Sequence, residues 1–158
     1  INQDHLGYLW IGTGDGLARY DGYSFRIFTV EDSLAENYAS SSIKTEEGLW
    51  FGHMSGDLSF YSKERFTKFI IPDVQKTLIT DFEVDPDNTL WAASYSNGFL
   101  KINKKQDIEK ISFDSEETII INSFSFIDED KIISAAAHFI KFDRFHIGPF
   151  FRSTLIEK

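Results

Sequence analysis

The sequence contains no cysteine. Disulfides and thiolate metal sites are thereby excluded, but the compartment stays open, because a bacterial periplasmic protein can also do without Cys. Basic charge is short as well. Sixteen Lys and Arg stand against 25 Asp and Glu, a formal net charge of −9 that repels phosphates and argues against a nucleic-acid partner. With three Pro and one Met there is neither a Pro-rich linker nor an adaptable Met-rich groove. No apolar run approaches the roughly 18 residues expected of a membrane helix, and no basic segment followed by an apolar one opens the chain as a leader would. Ile1, at a strand-like position and not a Met, reads as the opening of an excerpt from a longer chain.

What the sequence has in excess is rings. Sixteen Phe, six Tyr and three Trp make 16% of the chain aromatic, which favours strands, where bulky side chains pack on a pleated surface. At 158 residues, with 42% hydrophobic and 26% charged content, the chain can bury the core of one ordinary globular domain.

The rings recur. Trp10, Trp50 and Trp91 lie 40 and 41 residues apart, and Ile133 takes the fourth place 42 residues later. Around them the text repeats as LWIGT at Leu9, LWFGH at Leu49, LWAAS at Leu90 and IISAA at Ile132. A loop with Gly16, Gly56 or Gly98 follows in the first three copies, then LARYD, LSFYS, LKIN and IKFD, starting at Leu17, Leu58, Leu100 and Ile140. A last strand-like run closes each copy, clear at Phe25–Phe28 and Phe66–Phe69, present at Ile108–Phe113 and weak at Phe145–Phe151. A strand also precedes each anchor, ending in an acidic turn such as Glu46-Glu47-Gly48 or Asp85-Pro86-Asp87-Asn88; in the first copy Ile1–Gln3 is its stump and Asp4–Gly7 its turn. Four strands in about 40 residues is the period of propeller blades, with no helical periodicity to compete.

The expected fold is therefore all-β, a β-propeller segment of four four-stranded antiparallel blades, over approximately 1–35, 36–76, 77–117 and 118–158. A single sheet cannot bury both faces, so blades stack. Each Trp would supply roughly 2–3 kcal/mol of burial between them. Gly12, Gly52 and Ala93, two positions on, would let neighbouring sheets approach, while Gly16 and Gly56 serve the loops.

In GYLWIGTGDGLARYDGYSF, from Gly7 to Phe25, the first copy resembles the two-component regulator propeller repeat. Asp4 and Gly7 stand at its Asp-x-x-Gly turn, Leu9 to Thr13 at its Leu-Trp-Ile-Gly-Thr, Gly16-Leu17 at its Gly-Leu and Tyr20-Asp21 at its Tyr-Asp. The second copy keeps Gly48, Leu49, Trp50, Gly52, Gly56, Leu58 and Tyr61 with His53 in place of Thr; the third keeps Leu90, Trp91 and Gly98. The resemblance implies an extracytoplasmic, periplasmic sensor of a hybrid two-component system. It also implies a larger propeller, of about seven blades, leading to downstream signalling domains of the same protein; a closed four-bladed ring is the competing architecture. The implied ligand is an oligosaccharide, with no cofactor and no catalytic activity. Nothing in the chain matches a kinase or receiver domain, so the output would lie elsewhere. A propeller enzyme of polysaccharide lyase or lactonase type, and a protein-binding scaffold, remain alternatives. Exposed end blades would also predict self-association, for instance as a homodimer.

The candidate site residues follow from strand parity. Loops between the second and third strands of a meander lie on one face together with the links between blades. That face would carry Asp15, His53, Tyr95, Asn97 and His138, with Met54 beside them. Tyr95 offers a plane for stacking a sugar and Asn97 an amide that both donates and accepts; the same residues also suit ordinary polar hairpin tips. The four His (5, 53, 138, 146) show no metal-ligand spacing. Asp85–Asn88 resembles a piece of a calcium loop without its Gly or distant Glu and reads as a turn. Ser40–Ser42 reads as a strand entry, and the pairs Glu46-Glu47 and Glu116-Glu117 as solvated.

Overall fold

A computed structural model describes residues 1–72, 77–111, 120–128, 131–136 and 152–157. Among them the chain is all-β apart from one 3-10 turn, Val30–Asp32. The first sheet is the meander β1 (Asn2–Gln3), β2 (Leu9–Thr13), β3 (Gly16–Tyr20) and β4 (Phe25–Phe28). The second is β5 (Ala39–Lys44), β6 (Leu49–His53), β7 (Leu58–Ser62) and β8 (Arg65–Phe69). The third is β9 (Ile79–Val84), β10 (Leu90–Ser94), β11 (Gly98–Ile102) and β12 (Ile108–Ile111). These are four-stranded antiparallel blades in chain order. A three-stranded sheet follows, β13 (Ser123–Asp128), β14 (Lys131–Ala136) and β15 (Arg152–Glu157).

Two features differ from the sequence reading. Ser40–Ser42 are not the entry to a strand but the body of β5, whose hydroxyls turn to the next segment: Ser40 and Ser41 both donate to the Ile79 carbonyl, at 2.7 and 3.0 Å. In the fourth sheet the neighbour of β14 is Arg152–Glu157, paired from Lys131↔Glu157 to Ala136↔Arg152, in the place expected for the run at Ile140. Ile140–Asp143, Phe145–Phe151, Glu116-Glu117, His138 and His146 lie outside the described residues.

The hairpins show why these residues form these strands. Between β2 and β3, Thr13 Oγ1 donates to the Gly16 carbonyl and accepts from the Asp15 amide, closing a two-residue turn. Between β3 and β4, the Asp21 carboxylate accepts the amides of Tyr23 and Ser24, and Asn103 does the same for Lys105 and Asp107 between β11 and β12. In the second sheet Lys63 and Glu64 carry the turn with φ of 50° and 62°, the left-handed pair that matches strand twist.

The chain divides into two compact units, Ile1–Ile79 and Thr80–Lys158. In the first, paired residues define two faces per sheet. Trp10 and Arg19 share one face with Leu17 and Phe28. That face lies on the second sheet's Phe51, Tyr61 and Phe66, with ring centroids 5.7, 4.4 and 5.9 Å from Trp10. Trp10, Leu17, Leu34 and Leu49 are all at most 1% exposed in this core. Close approach depends on small residues: a Cβ on Gly12 would stand 2.9 Å from the Ala39 carbonyl, and one on Gly52 2.5 Å from the Ile79 side chain. In the second unit Trp91 and Phe99 meet Phe126 and Phe124 at 5.8 and 4.9 Å.

Candidate functional site

The turns before Trp10 and Trp91 are each built around a buried acid. Asp4, 6% exposed, accepts the Leu6 and Tyr8 amides on Oδ1 and the Trp10 indole N–H on Oδ2 at 2.9 Å. Asp85, 5% exposed, repeats this with the Thr89 amide and the Trp91 indole, both at 2.9 Å. The supposed calcium-loop fragment is thus a turn that orients an indole, with Asn88 at φ 63° where the first copy has Gly7 at 88°. The second copy has Thr45 there, whose hydroxyl donates to the Gly48 carbonyl. The spacing of Asp six residues before Trp is a signal that reading each turn alone misses. A cation completes the motif: Arg19 lies 4.5 Å over Tyr8 and 5.7 Å over Trp10, and Lys101 lies 5.4 Å over Trp91.

The loop side of the first unit gathers around Tyr38. Its carbonyl accepts the Met54 amide and faces His53 Nδ1 at 3.1 Å, while its ring lies 3.8 Å from where a Cβ on Gly14 would be, beside Asp15. The link between the sheets is fastened along its length. The Ala35 amide donates to Ser59 Oγ at 2.9 Å, and the Ser55 amide donates to Glu36 Oε2 at 2.7 Å. Asp57 accepts from Ser55 Oγ and the Ile71 amide, so this carboxylate ties the β6–β7 loop to the segment after β8.

His53 does not sit at a loop tip. It is the last residue of β6, fully buried, with Nε2 at 2.7 Å from Ser59 Oγ. A carbonyl can only accept, so His53 Nδ1 carries the proton toward Tyr38, and Ser59 donates to the bare Nε2 while accepting from Ala35. Burial pushes the His53 pKa below its ordinary value, against the opposing pull of the Tyr38 carbonyl and the Glu36 and Asp57 carboxylates. Both ring nitrogens are engaged, and Ser59 is buried too. The residue is a neutral pin, not a group offered to solvent.

Asp15 is exposed at the β2–β3 turn. Tyr95 and Asn97 lie half-buried in the β10–β11 turn of the second unit, where the Tyr95 carbonyl accepts the Ile121 amide at 3.0 Å. Tyr38 and Met54, 46% and 54% exposed, are apolar groups that the first unit presents on its loop side; Tyr38 went unnoticed in the sequence because it precedes its strand without a turn motif. Among the described residues, no three His, Asp or Glu side chains are placed to hold a metal ion. No helix among them is long and apolar enough to cross a membrane.

No family model matches the chain. It superposes on a structure described as the extracellular domain of a one component system from B. thetaiotaomicron, with a TM-score of 0.59 and 19% identity, covering 84% of this chain and 19% of that one. The extracellular domain of a hybrid two component system from the same organism gives 0.46 at 18% identity, covering 86% of this chain and 24% of that one. In sequence, 37 residues are 49% identical to "Histidine kinase P4" of Formosa agariphila, 22% of this chain and 3% of the kinase. The first superposition shows a shared fold. The chain spans only a minor part of each of these proteins.

Proposed function

We propose that this chain is a section of the periplasmic sensing propeller of a two-component signalling protein, of the two-component regulator propeller family, and that it has no catalytic activity of its own. The observation that carries the reading is the superposition over 84% of the chain on a bacterial extracellular domain of a signalling system. The repeat around Trp10 and the local match to a histidine kinase support it independently. In this reading the partners are further blades and downstream signalling domains of the same protein, and the ligand is an oligosaccharide. Each unit presents its own candidate contacts on its loops, Asp15, Tyr38 and Met54 in the first and, separately, Tyr95 and Asn97 in the second. An exposed ring suits a sugar face, and a carboxylate and an amide suit its hydroxyls.

The enzyme alternative needs a convergent His or carboxylate cluster at the loop face; the closed hydrogen bonding of His53 and Ser59 gives it no support, and His138 lies outside the described residues. Two measurements test the sensor reading. The remainder of the gene should encode a membrane helix and a kinase or other signalling output, and its absence would remove the receptor. Calorimetry of the complete ectodomain against an oligosaccharide panel should find a binder whose affinity falls in Tyr95→Ala at unchanged melting temperature. An unchanged affinity would return Tyr95 to the role of a loop residue.

A further inference from the structure

One buried titratable group fastens the loop side of the first unit. His53 Nδ1 donates to the Tyr38 carbonyl at 3.1 Å, and Ser59 Oγ donates to His53 Nε2 at 2.7 Å. Ser59 in turn accepts the Ala35 amide, so both ends of the link 35–38 are tied to this pair. The Met54 amide, next along from His53, is a second donor to the Tyr38 carbonyl. The arrangement works for one proton count only. A hydroxyl donates once and accepts twice. With a second proton on the ring, Nε2 becomes a donor, and the Ser59 hydrogen loses its acceptor where His53 and Ser59 are both fully buried.

We propose that His53 is a proton-operated latch on the link 35–38: neutral, it holds the Tyr38 ring in place on the loop side, and protonated, it lets the link go. The charges around it favour the second state once the ring reaches water. Glu36 on the link and Asp57 on the β6–β7 loop both draw a proton toward the imidazole, and only burial opposes them. Lys68, opposite Ser59 on β8, is exposed, as is Asp15 at the β2–β3 turn. One consequence rests on the reading of Tyr38 as a sugar contact. A sugar stacked on the ring would hold the latch shut, and acid would loosen that hold, so proton and sugar oppose each other.

The latch itself is read without ligand, by hydrogen exchange in the complete protein corrected for the intrinsic rate at each pH. Between about pH 7.5 and 5.5, above the range where ordinary carboxylates titrate, protection of the Ala35, Met54 and Ser55 amides should fall. The fall should reach up to about tenfold for each pH unit below about 6.5, the limit for one proton. In His53→Gln protection of the same amides should not depend on pH. Low urea should leave these amides unchanged while speeding exchange in β6, because a local opening exposes little surface. A decline of equal size in His53→Gln would overturn the latch, as would a flat profile in the native protein. Link exchange that rises with urea in step with β6 would overturn it too, since the opening would then be unfolding of the sheet. That comparison needs only the native protein, so it decides even where His53→Gln does not fold. An acid-released link in a protein that binds no oligosaccharide would end the sensor reading and keep this inference.

Discussion

Asp4 and His53 show how a buried polar side chain becomes part of a blade. A carboxylate taken out of water is costly unless its oxygens are filled, and Asp4 fills both, with two amides and an indole. Asp4→Ala should therefore destabilise the protein by about 2–3 kcal/mol, since it strands the indole N–H in the core along with the turn amides; urea unfolding measures this. Asp85→Ala should act in the same direction, whereas Asp21→Ala, at a turn where water can replace the carboxylate, should cost less than either. A loss no larger for Asp4→Ala than for Asp21→Ala would mean the buried acid is not what orients Trp10. His53 makes a prediction in pH. Its folded pKa lies below its ordinary value of 6.5, so the unfolded chain binds the proton first. Stability is then complete above about pH 6.5 and declines as the pH falls below it, because the slope follows the extra proton on the unfolded chain. Urea midpoints from pH 7.5 to 5 should drop for the native protein and drop less for His53→Gln, which can keep one bridge but cannot titrate. Parallel declines would assign the pH dependence to other groups.

At the level of strands and sheets, spacing is set by what is missing at Gly12 and Gly52. A Cβ on Gly52 would enter the Ile79 side chain at 2.5 Å, so Gly52→Ala should cost about 1–3 kcal/mol by overpacking. Gly22, at φ 96° with nothing within 4 Å of its Cβ direction, should cost less as Ala, from backbone strain alone. Thermal melts of the two variants compare them. Equal losses would leave only the strain. These strands were legible in the sequence because Leu-Trp-x-Gly and the Asp-Gly turns are local signals, and local pairing follows from them. His53 misled for the same reason. It occupies the place of Thr13 and Ser94, a polar residue at a strand end, and nothing nearby in sequence shows that Tyr38 and Ser59 enclose it. The fourth sheet was read only in part. With Ile133 in place of Trp and no loop Gly, the repeat offers no anchor to fix which later run pairs with β14. Tyr95 and Asn97 could be placed at a turn from parity, but no spacing tells a sugar contact from a hairpin tip.

For the whole molecule the dominant electrostatic fact is imbalance. Twenty-five acids face 16 bases, so at neutral pH the folded chain repels itself. Among the described residues, the ion pair of Arg26 and Asp32, 3.9 Å apart at an exposed position, contributes well under about 1 kcal/mol against this. Arg19, Arg26 and Lys101 lie over rings within blades, where salt screens a cation less than it screens fully exposed charges. Added NaCl should thus relieve more repulsion than attraction. Between roughly 10 mM and 500 mM NaCl, the range over which the screening length shrinks from about 30 Å to a few ångströms, the melting temperature at pH 7.5 should rise. The rise should be a few degrees, in line with about 2–4 °C per kcal/mol for a chain of this size. The same titration on Arg19→Met separates the terms. That variant should melt lower at every salt concentration yet keep the upward slope, because the slope belongs to the net charge and the offset to the cation over Tyr8 and Trp10. A melting temperature that falls with NaCl would mean that specific ion pairs outweigh the net charge in holding the fold.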